Sequence, residues 1–244
     1  MAEPLLKFSD VVKKFNGKSV LNGLSFEVQS GEIFCIVGSS GTGKSVTLKH
    51  IVGLLSPTSG SVVVEGVDIV SATEAELGAI RRRIGYLFQS GALLAWMTVA
   101  ENVALPLVET TSLSDDEISR RVDDALRAVE LLDAADKYPA QISGGMQKRA
   151  GLARAIVRDC DIVLYDEPTS GLDPVTAKTI DALIVKLARE RGITSVVVTH
   201  DLKGALSYAD KILLVKNGVA VACETPENFQ RLDNRYVKEF LSAI

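Results

Sequence analysis

Basic excess is missing from this chain: Lys and Arg number 27 against 31 Asp and Glu, a net charge of −4. Aromatic residues make up only 5% of its 244 residues. A nucleic-acid binder usually carries a positive stripe and aromatic faces that stack on bases, so both shortages argue against that partner. Cysteine is scarce. Cys35, Cys160 and Cys223 are isolated, odd in number and without CxxC spacing, which reads as buried free thiols in a reducing compartment. Apolar runs of about 18 residues, the length that spans a bilayer, are lacking. The nearest stretch, 91–108, is broken by Glu101 and Asn102. Glu3 stands where a signal peptide carries basic charge, and no apolar core follows,. No His, Cys, Asp or Glu cluster has metal-ligand spacing, and no repeat or low-complexity tract occurs,.

What is present is an ordinary globular composition, 47% hydrophobic and 24% charged,. A chain of this length buries roughly 70–75% of its unfolded surface and needs no disulfide or metal staple. The mean hydropathy of +0.20 is high, as a large core or an apolar surface kept for a partner would make it. Leu5 to Val12 and Ser19 to Val28 read as strands joined by an Asn16-Gly17 turn,. Ile33 to Val37 is wholly apolar, as in a strand buried on both faces,. A helix follows over 44–54, a turn over 57–60, a strand over 61–65, a helix over 73–83 and a strand over 84–88. Residues 98–158 are mostly helical, with Ser114 and Glu117 spaced as a capping box and Ile118, Val122, Ala125, Leu126 and Val129 spaced as one helix face,. Strands then return at 162–165, 195–199, 211–215 and 219–223, separated by helices over 175–191 and 201–208, and two short helices close the chain at about 225–244. This alternation predicts an α/β fold with a mainly parallel sheet core, a small antiparallel β subdomain and a helical subdomain inserted at about 90–158, all within one domain over 1–244.

Three segments carry chemistry. Gly38-Ser39-Ser40-Gly41-Thr42-Gly43-Lys44-Ser45 fits the phosphate-binding pattern GxxxxGK[ST] and lies between a predicted strand and a predicted helix,. Glycines let backbone N–H groups wrap phosphate oxygens, and the helix N-terminus adds partial positive charge. Lys44 brings a full charge and Ser45 a hydroxyl for Mg²⁺. In the second segment, a buried strand at 162–165 ends in Asp166 and Glu167. Neighbouring strand residues point opposite ways, so one acid can serve the metal and the other can polarise a water. The third, Ile142-Ser143-Gly144-Gly145-Met146-Gln147, is a capped helix start that leaves N–H groups uncovered, a second anion site,.

Together these segments resemble the ATP-binding cassette (ABC) ATPases, and the resemblance covers essentially the whole chain. It implies a P-loop NTPase fold and ATP hydrolysis with Mg²⁺. By that resemblance residues 38–45 are Walker A, and 162–167 are Walker B with Glu167 as catalytic base. Ile142 to Met146 stand for the LSGGQ signature, Gln89 for the Q-loop residue at the metal and water, and Ser170 to Asp173 for the D-loop. His200 matches the switch histidine at the γ-phosphate, and Phe15 the aromatic that stacks on adenine. Catalysis would then rest on Glu167, His200, Lys44 and Gln89. Nucleotide would be held by Phe15, residues 38–45, Ser143, Gly144 and Gly145, and Mg²⁺ by Ser45, Gln89 and Asp166. The family arrangement is a head-to-tail homodimer, with Ser143 of one copy closing on ATP held by Lys44 of the other.

Having no membrane span of its own, such a motor implies a separate permease dimer and a peripheral place on the cytoplasmic face of the inner membrane. Leu93, Leu94, Trp96 and Met97 are candidates for the groove that receives it, with core packing the competing reading for Leu93 and Leu94. Phe88 to Leu93, Ser143 to Arg149 and the tail 234–241 are similar to the ATPase subunits of Mla/Mce-type lipid transporters. That implies phospholipid as cargo, an Mce-domain lipid-binding protein as partner and in some systems a small regulatory subunit. A cassette for another cargo is the alternative, and a mechanoenzyme acting on DNA or ribosomes a third. His50 reads as a surface or packing residue of its helix, Arg81 to Arg83 as a solvated helix end, and Lys148 and Arg149 as facing solvent or the second subunit.

Overall fold

Buried residues alternate along Leu6–Phe15 (β1) and Lys18–Val28 (β2) in the computed structural model, which describes residues 3–242. Leu6 and Phe8 are buried, and then the phase slips to Val11. The slip falls where the β1–β2 register shifts and Asp10 takes φ 49°, a bulge,. Asn16 and Gly17, at φ 48° and 79°, make the expected turn,. Ile33–Val37 (β3) is buried at every position. Its odd residues join one core and its even residues Phe34 and Ile36 the other, so this strand is the partition between two layers,.

The remaining elements follow in chain order. They are Lys44–Ile51 (α1), Ser59–Val64 (β4), Val67–Asp68 (β5), Glu74–Arg83 (α2), Ile84–Leu87 (β6), Val99–Thr110 (α3), Asp115–Ala128 (α4) and Gly144–Ile156 (α5). After them come Ile162–Asp166 (β7), Pro174–Arg191 (α6), Thr194–Thr199 (β8), Leu202–Tyr208 (α7), Lys211–Lys216 (β9), Val219–Glu224 (β10), Pro226–Arg231 (α8) and Arg235–Leu241 (α9). A four-stranded antiparallel sheet has the order β2-β1-β4-β5, and a six-stranded sheet the order β10-β9-β3-β8-β7-β6. Only the β10–β9 pairing in the larger sheet is antiparallel. Phe8, Phe26 and Phe34 stack at 4.5 and 5.3 Å between centroids and join the two sheets. On the other face, α3, α4, α5 and α6 bury Val103, Leu107, Leu126, Leu152 and Ile184. This is the α/β architecture expected. The last two residues of the expected C-terminal helices, 243–244, and the N-terminal residues 1–2 lie outside the described residues.

Several local readings change. Ser114 does cap α4, accepting from Glu117 N, but the Glu117 carboxylate goes to Arg121 at 3.5 Å instead of returning to the cap. Complete capping boxes form at Thr73 with Glu76 and Thr98 with Glu101. Arg81 is no solvated helix end, since it donates to the carbonyls of Val52 and Gly53. Arg83 joins Glu65 and Asp161, each at 2.7 Å, and only Arg82 fits the expectation of exposure without a side-chain role. His50 is a packing residue, fully buried, with Nδ1 bonded to Val46 O at 2.7 Å. Of the three thiols only Cys35 is fully buried, and Cys160 and Cys223 are half-buried.

Asn102, read from sequence as a break in an apolar run, is a structural centre. It is fully buried. Its Oδ1 accepts from Leu94 N at 2.7 Å, and its Nδ2 donates to the carbonyls of Leu94, Met97 and Thr98 at 3.0, 3.1 and 2.9 Å. Removing this amide strands buried backbone groups. Asn102→Ala is expected to cost roughly 2–3 kcal/mol in urea unfolding, against a near-zero change for the exposed Arg82→Ala. In α6, burial and the nearby Asp201 carboxylate push the Asp181 carboxyl up to about 6. The folded chain therefore holds this proton more tightly than the unfolded chain, and the penalty for ionising it grows from about pH 4 to pH 6 and is complete above. Asp181→Asn should stabilise by about 1 kcal/mol at neutral pH, a gain that fades as the pH falls below about 6 in thermal melts.

Candidate active site

Four neighbouring parallel strands end at the same edge of the larger sheet. Val37 pairs with Thr199, Asp166 with Val198, and Leu87 with Tyr165. The loops after β3, β8, β7 and β6 therefore emerge side by side, bringing residues 38–43, His200, Glu167 and Gln89 together. Gly41 and Gly43 take φ 81° and 94°, the left-handed region,. A Cβ on Gly43 would also lie 2.6 Å from Leu21 Cδ2. This turn aims the N-terminus of α1 into a cavity of about 540 Å³.

Lys44 is the first residue of α1 and is only 6% exposed. Its Nζ donates to the carbonyls of Gly38 and Ser39 at 2.8 and 3.1 Å and lies 3.5 Å from Glu167 Oε1. Ser45 Oγ donates to Asp166 Oδ1 at 2.7 Å. Burial and Asp166 together raise the phenol pKa of Tyr86, whose hydroxyl is 3.5 Å from Asp166 Oδ2. Glu167 sits just past the end of β7 at φ 49°, a strained value for a side chain of this size,. Its Oε2 faces His200 Nδ1 at 2.6 Å and accepts from His200 N at 3.3 Å. Phe15, Ser40, Gly41, Gly43, Lys44, Ser45, Gln89, Glu167 and His200 all line the cavity, so most of the expected site converges.

The rest of that set lies around it. Gly38 and Ser39 offer their carbonyls to Lys44, and Thr42 Oγ1 donates to Ser39 O, so these three shape the loop. Ser143, Gly144 and Gly145 begin α5 and do not line the cavity. Ser143 caps that helix by accepting from Met146 N, Gly144 is exposed, and Gly145 packs against Thr176. The Ser45 hydroxyl and Asp166 carboxylate form an all-oxygen pair, which suits a hard cation such as Mg²⁺. Among the described residues no group of three or more His, Cys, Asp or Glu could cage a metal ion. The donors present fit a cation that shares its ligands with a bound phosphate.

Val20, Val46 and Ser170 line the cavity without belonging to the expected binding or catalytic set. Lys148 is a larger correction. It does not face solvent or a second subunit, being 6% exposed with Nζ donating to the carbonyls of Gln89 and Glu167. Arg149 donates to the carbonyls of Val129 and Glu130. Spacing could have exposed the error, because Lys148, Gly151, Leu152 and Ala155 follow i, i+3, i+4, i+7 and all are buried,. Trp96 stays 72% exposed, while Leu93 packs against the core.

The left-handed turn at Gly43 generates a direct test. Gly43→Ala should lower affinity for ATP by about 5- to 150-fold, the range that corresponds to about 1–3 kcal/mol of backbone strain. Titration with a fluorescent ATP analogue, with circular dichroism to verify folding, reads the effect.

Residues 21–170 match the ABC transporter family. The intermembrane phospholipid transport system ATP-binding protein MlaF of Haemophilus influenzae is 37% identical over 243 residues, covering 100% of this chain and 92% of that protein. The methionine import ATP-binding protein MetN of Rhizobium johnstonii is 40% identical over 217 residues, covering 89% of this chain and 60% of that longer relative. The bacterial ABC transporter cassette MJ0796, solved as a dimer in a post-hydrolysis state with ADP and Pi, matches with a TM-score of 0.83 and 35% identity over 91% of this chain and 98% of its own. With the phosphate-binding turn, Glu167 and His200 already converging on one cavity, a match over more than half the length settles the family: this chain belongs to the ABC transporters, as an ATP-binding subunit.

Proposed function

We propose that this chain hydrolyses ATP to drive a separate membrane permease, working as a head-to-tail dimer, with phospholipid as the cargo. The observation that carries the ATPase reading is the convergence of Lys44, Ser45, Glu167 and His200 on one cavity beside a helix N-terminus, with Asp166 bonded to Ser45 behind it. Lys44 and the N–H groups of the loop 38–45 hold the β- and γ-phosphates. Ser45, Asp166 and Gln89 would hold Mg²⁺, which when bound would supply positive charge against the phosphate oxygens. Glu167 takes the proton of the attacking water, and His200 contacts the γ-phosphate. Phe15 stacks on adenine. Ser143, Gly144 and Gly145 cover the nucleotide held by the other copy, which accounts for their standing apart from this chain's own cavity.

Phospholipid is favoured because the MlaF relative aligns with the whole chain and nearly all of its own length. The relative's printed role is intermembrane phospholipid transport. An Mce-domain lipid-binding protein, a small regulatory subunit and residence at the cytoplasmic face of the inner membrane belong to the same reading. Similarity to MetN supports a second one, an importer cassette for a small solute such as an amino acid.

Glu167→Gln tests both levels. Turnover should fall at least about 100-fold, as expected for loss of a general base, while ATP with Mg²⁺ traps a dimer in size-exclusion chromatography. Pull-down of that dimer from membranes should bring a permease, an Mce-domain protein and phospholipid. A permease with a soluble solute-binding protein would replace the lipid reading by the importer reading. A variant that stays monomeric with ATP, from a wild-type chain without turnover, would sink both.

A further inference from the structure

We propose that Lys148 is a positioning residue for ATP hydrolysis, tying helix α5 to the backbones of Gln89 and Glu167 and so setting where those two side chains lie. The inference rests on the ATPase reading above. Lys148 is 6% exposed, and its Nζ donates to Gln89 O and, at 3.3 Å, to Glu167 O. Both acceptors are main-chain carbonyls, and they belong to two different loops of the cavity. Burial lowers the pKa of this amine, opposed by the Glu167 and Asp166 carboxylates. A buried ammonium is costly, and an alkyl side chain would fill the space without that cost. The position therefore does something that packing alone does not require.

The attachment is stiff on every side. Gly91, two residues past Gln89, lies so close to α5 that a Cβ there would sit 3.1 Å from Gln147 O. Gly151 lies against the same loop, where its Cβ would be 3.1 Å from Gly91 O. Arg154 donates to the carbonyls of Gly91 and Ala92, both at 2.7 Å. Thus α5 grips the loop after β6 at two points, and Lys148 is the grip that also reaches the loop after β7. The Glu167 carboxylate is held by His200 Nδ1 at 2.6 Å and Lys44 Nζ at 3.5 Å, so a shift of its backbone disturbs both contacts. Small displacements of a reacting group are enough to slow a reaction strongly. The same helix starts at Ser143, five residues before Lys148, and in the proposed dimer Ser143 meets the nucleotide of the other copy. Lys148 thereby links closure on one nucleotide to the geometry of Gln89 and Glu167 at the other.

The test uses the full chain with Lys148→Met, Lys148→Arg, Gln89→Ala and the double variant Lys148→Met/Gln89→Ala. Turnover against ATP concentration, affinity for a fluorescent ATP analogue and the thermal midpoint are measured for each. Lys148→Met should lower kcat about tenfold or more with ATP affinity within about twofold of wild type, because the loss is confined to the reacting geometry. Lys148→Arg, which keeps the charge and the donors, should recover most of that loss. Because part of its effect passes through Gln89 and part through Glu167, Lys148→Met should slow the Gln89→Ala variant by less than it slows the wild type. Wild-type kcat in Lys148→Met, or losses that multiply in the double variant, would overturn the proposal. Should Lys148→Met fail to fold, Lys148→Leu, which likewise has no donor, replaces it in the same cycle and is read in the same way. A wild-type chain that does not turn over ATP would instead overturn the ATPase reading beneath the proposal.

Discussion

The register of four parallel strands decides where every chemical group in this protein lies. β3, β8, β7 and β6 stand next to one another, and Val37, Thr199, Asp166 and Leu87 reach the same edge within a residue. Slipping β7 by one residue would turn Asp166 and Glu167 to opposite faces and part Ser45 from its carboxylate. The register is secured by burial on both sides. β3, β7 and β8 have no exposed position, so a slip would drive apolar side chains into the wrong layer at once. Phe34 stacking on Phe26 fixes the smaller sheet to the same frame, and with it Phe15 at the mouth of the cavity.

Given that frame, the charges have little choice of partner. Lys44 and Asp166 are 6% and 8% exposed, and groups so far from water need a counter-charge or hydrogen bonds,. Lys44 finds two loop carbonyls and Glu167, Asp166 finds Ser45, and Glu167 finds His200. These side chains thus satisfy one another. In the proposed reaction a triphosphate would compete with Glu167 for Lys44 and with that same carboxylate for His200. Phosphate binding would free Glu167 to face a water, so substrate entry and unmasking of the base are one exchange of partners.

Much of this was legible in the sequence because it depends on local pattern. The turn 38–45 needs glycines at left-handed positions, and Gly41 and Gly43 occupy them. The all-apolar strand before Asp166 announced its own burial, and the alternation of strands and helices announced a parallel sheet. Less legible were polar residues whose partners are distant backbone groups. Asn102 looked like an interruption of an apolar run, yet it closes the loop 94–98 by four hydrogen bonds. Arg81 reads as part of a solvated helix end and Lys148 as facing solvent or the second subunit, because sequence shows charge but not the carbonyls of Val52, Gly53, Gln89 and Glu167 that receive it. Glu117 departs from the expected capping box for a related reason, since capping and an i, i+4 partner compete for one carboxylate, and Arg121 wins.

Those same distant contacts bear on how force could pass through the molecule. Trp96 is 72% exposed at the tip of a loop, an unfavourable place for a large ring unless a partner covers it,. The backbone around it is already fixed by Asn102, so a partner that buries the ring orders little else and retains more of the interaction as affinity,. From that loop the path to the cavity is continuous. Gly91 and Ala92 are bound by Arg154 of α5, and Gln89 by Lys148 of the same helix. On the proposed function a load on Trp96 would meet α5 and the loop after β6 already joined by these bonds, and the exchange of partners around Glu167 would act at the far end of the same contacts. With hydrogen bonds at each step, the proposed permease contact and the proposed hydrolysis site share one connected set of contacts.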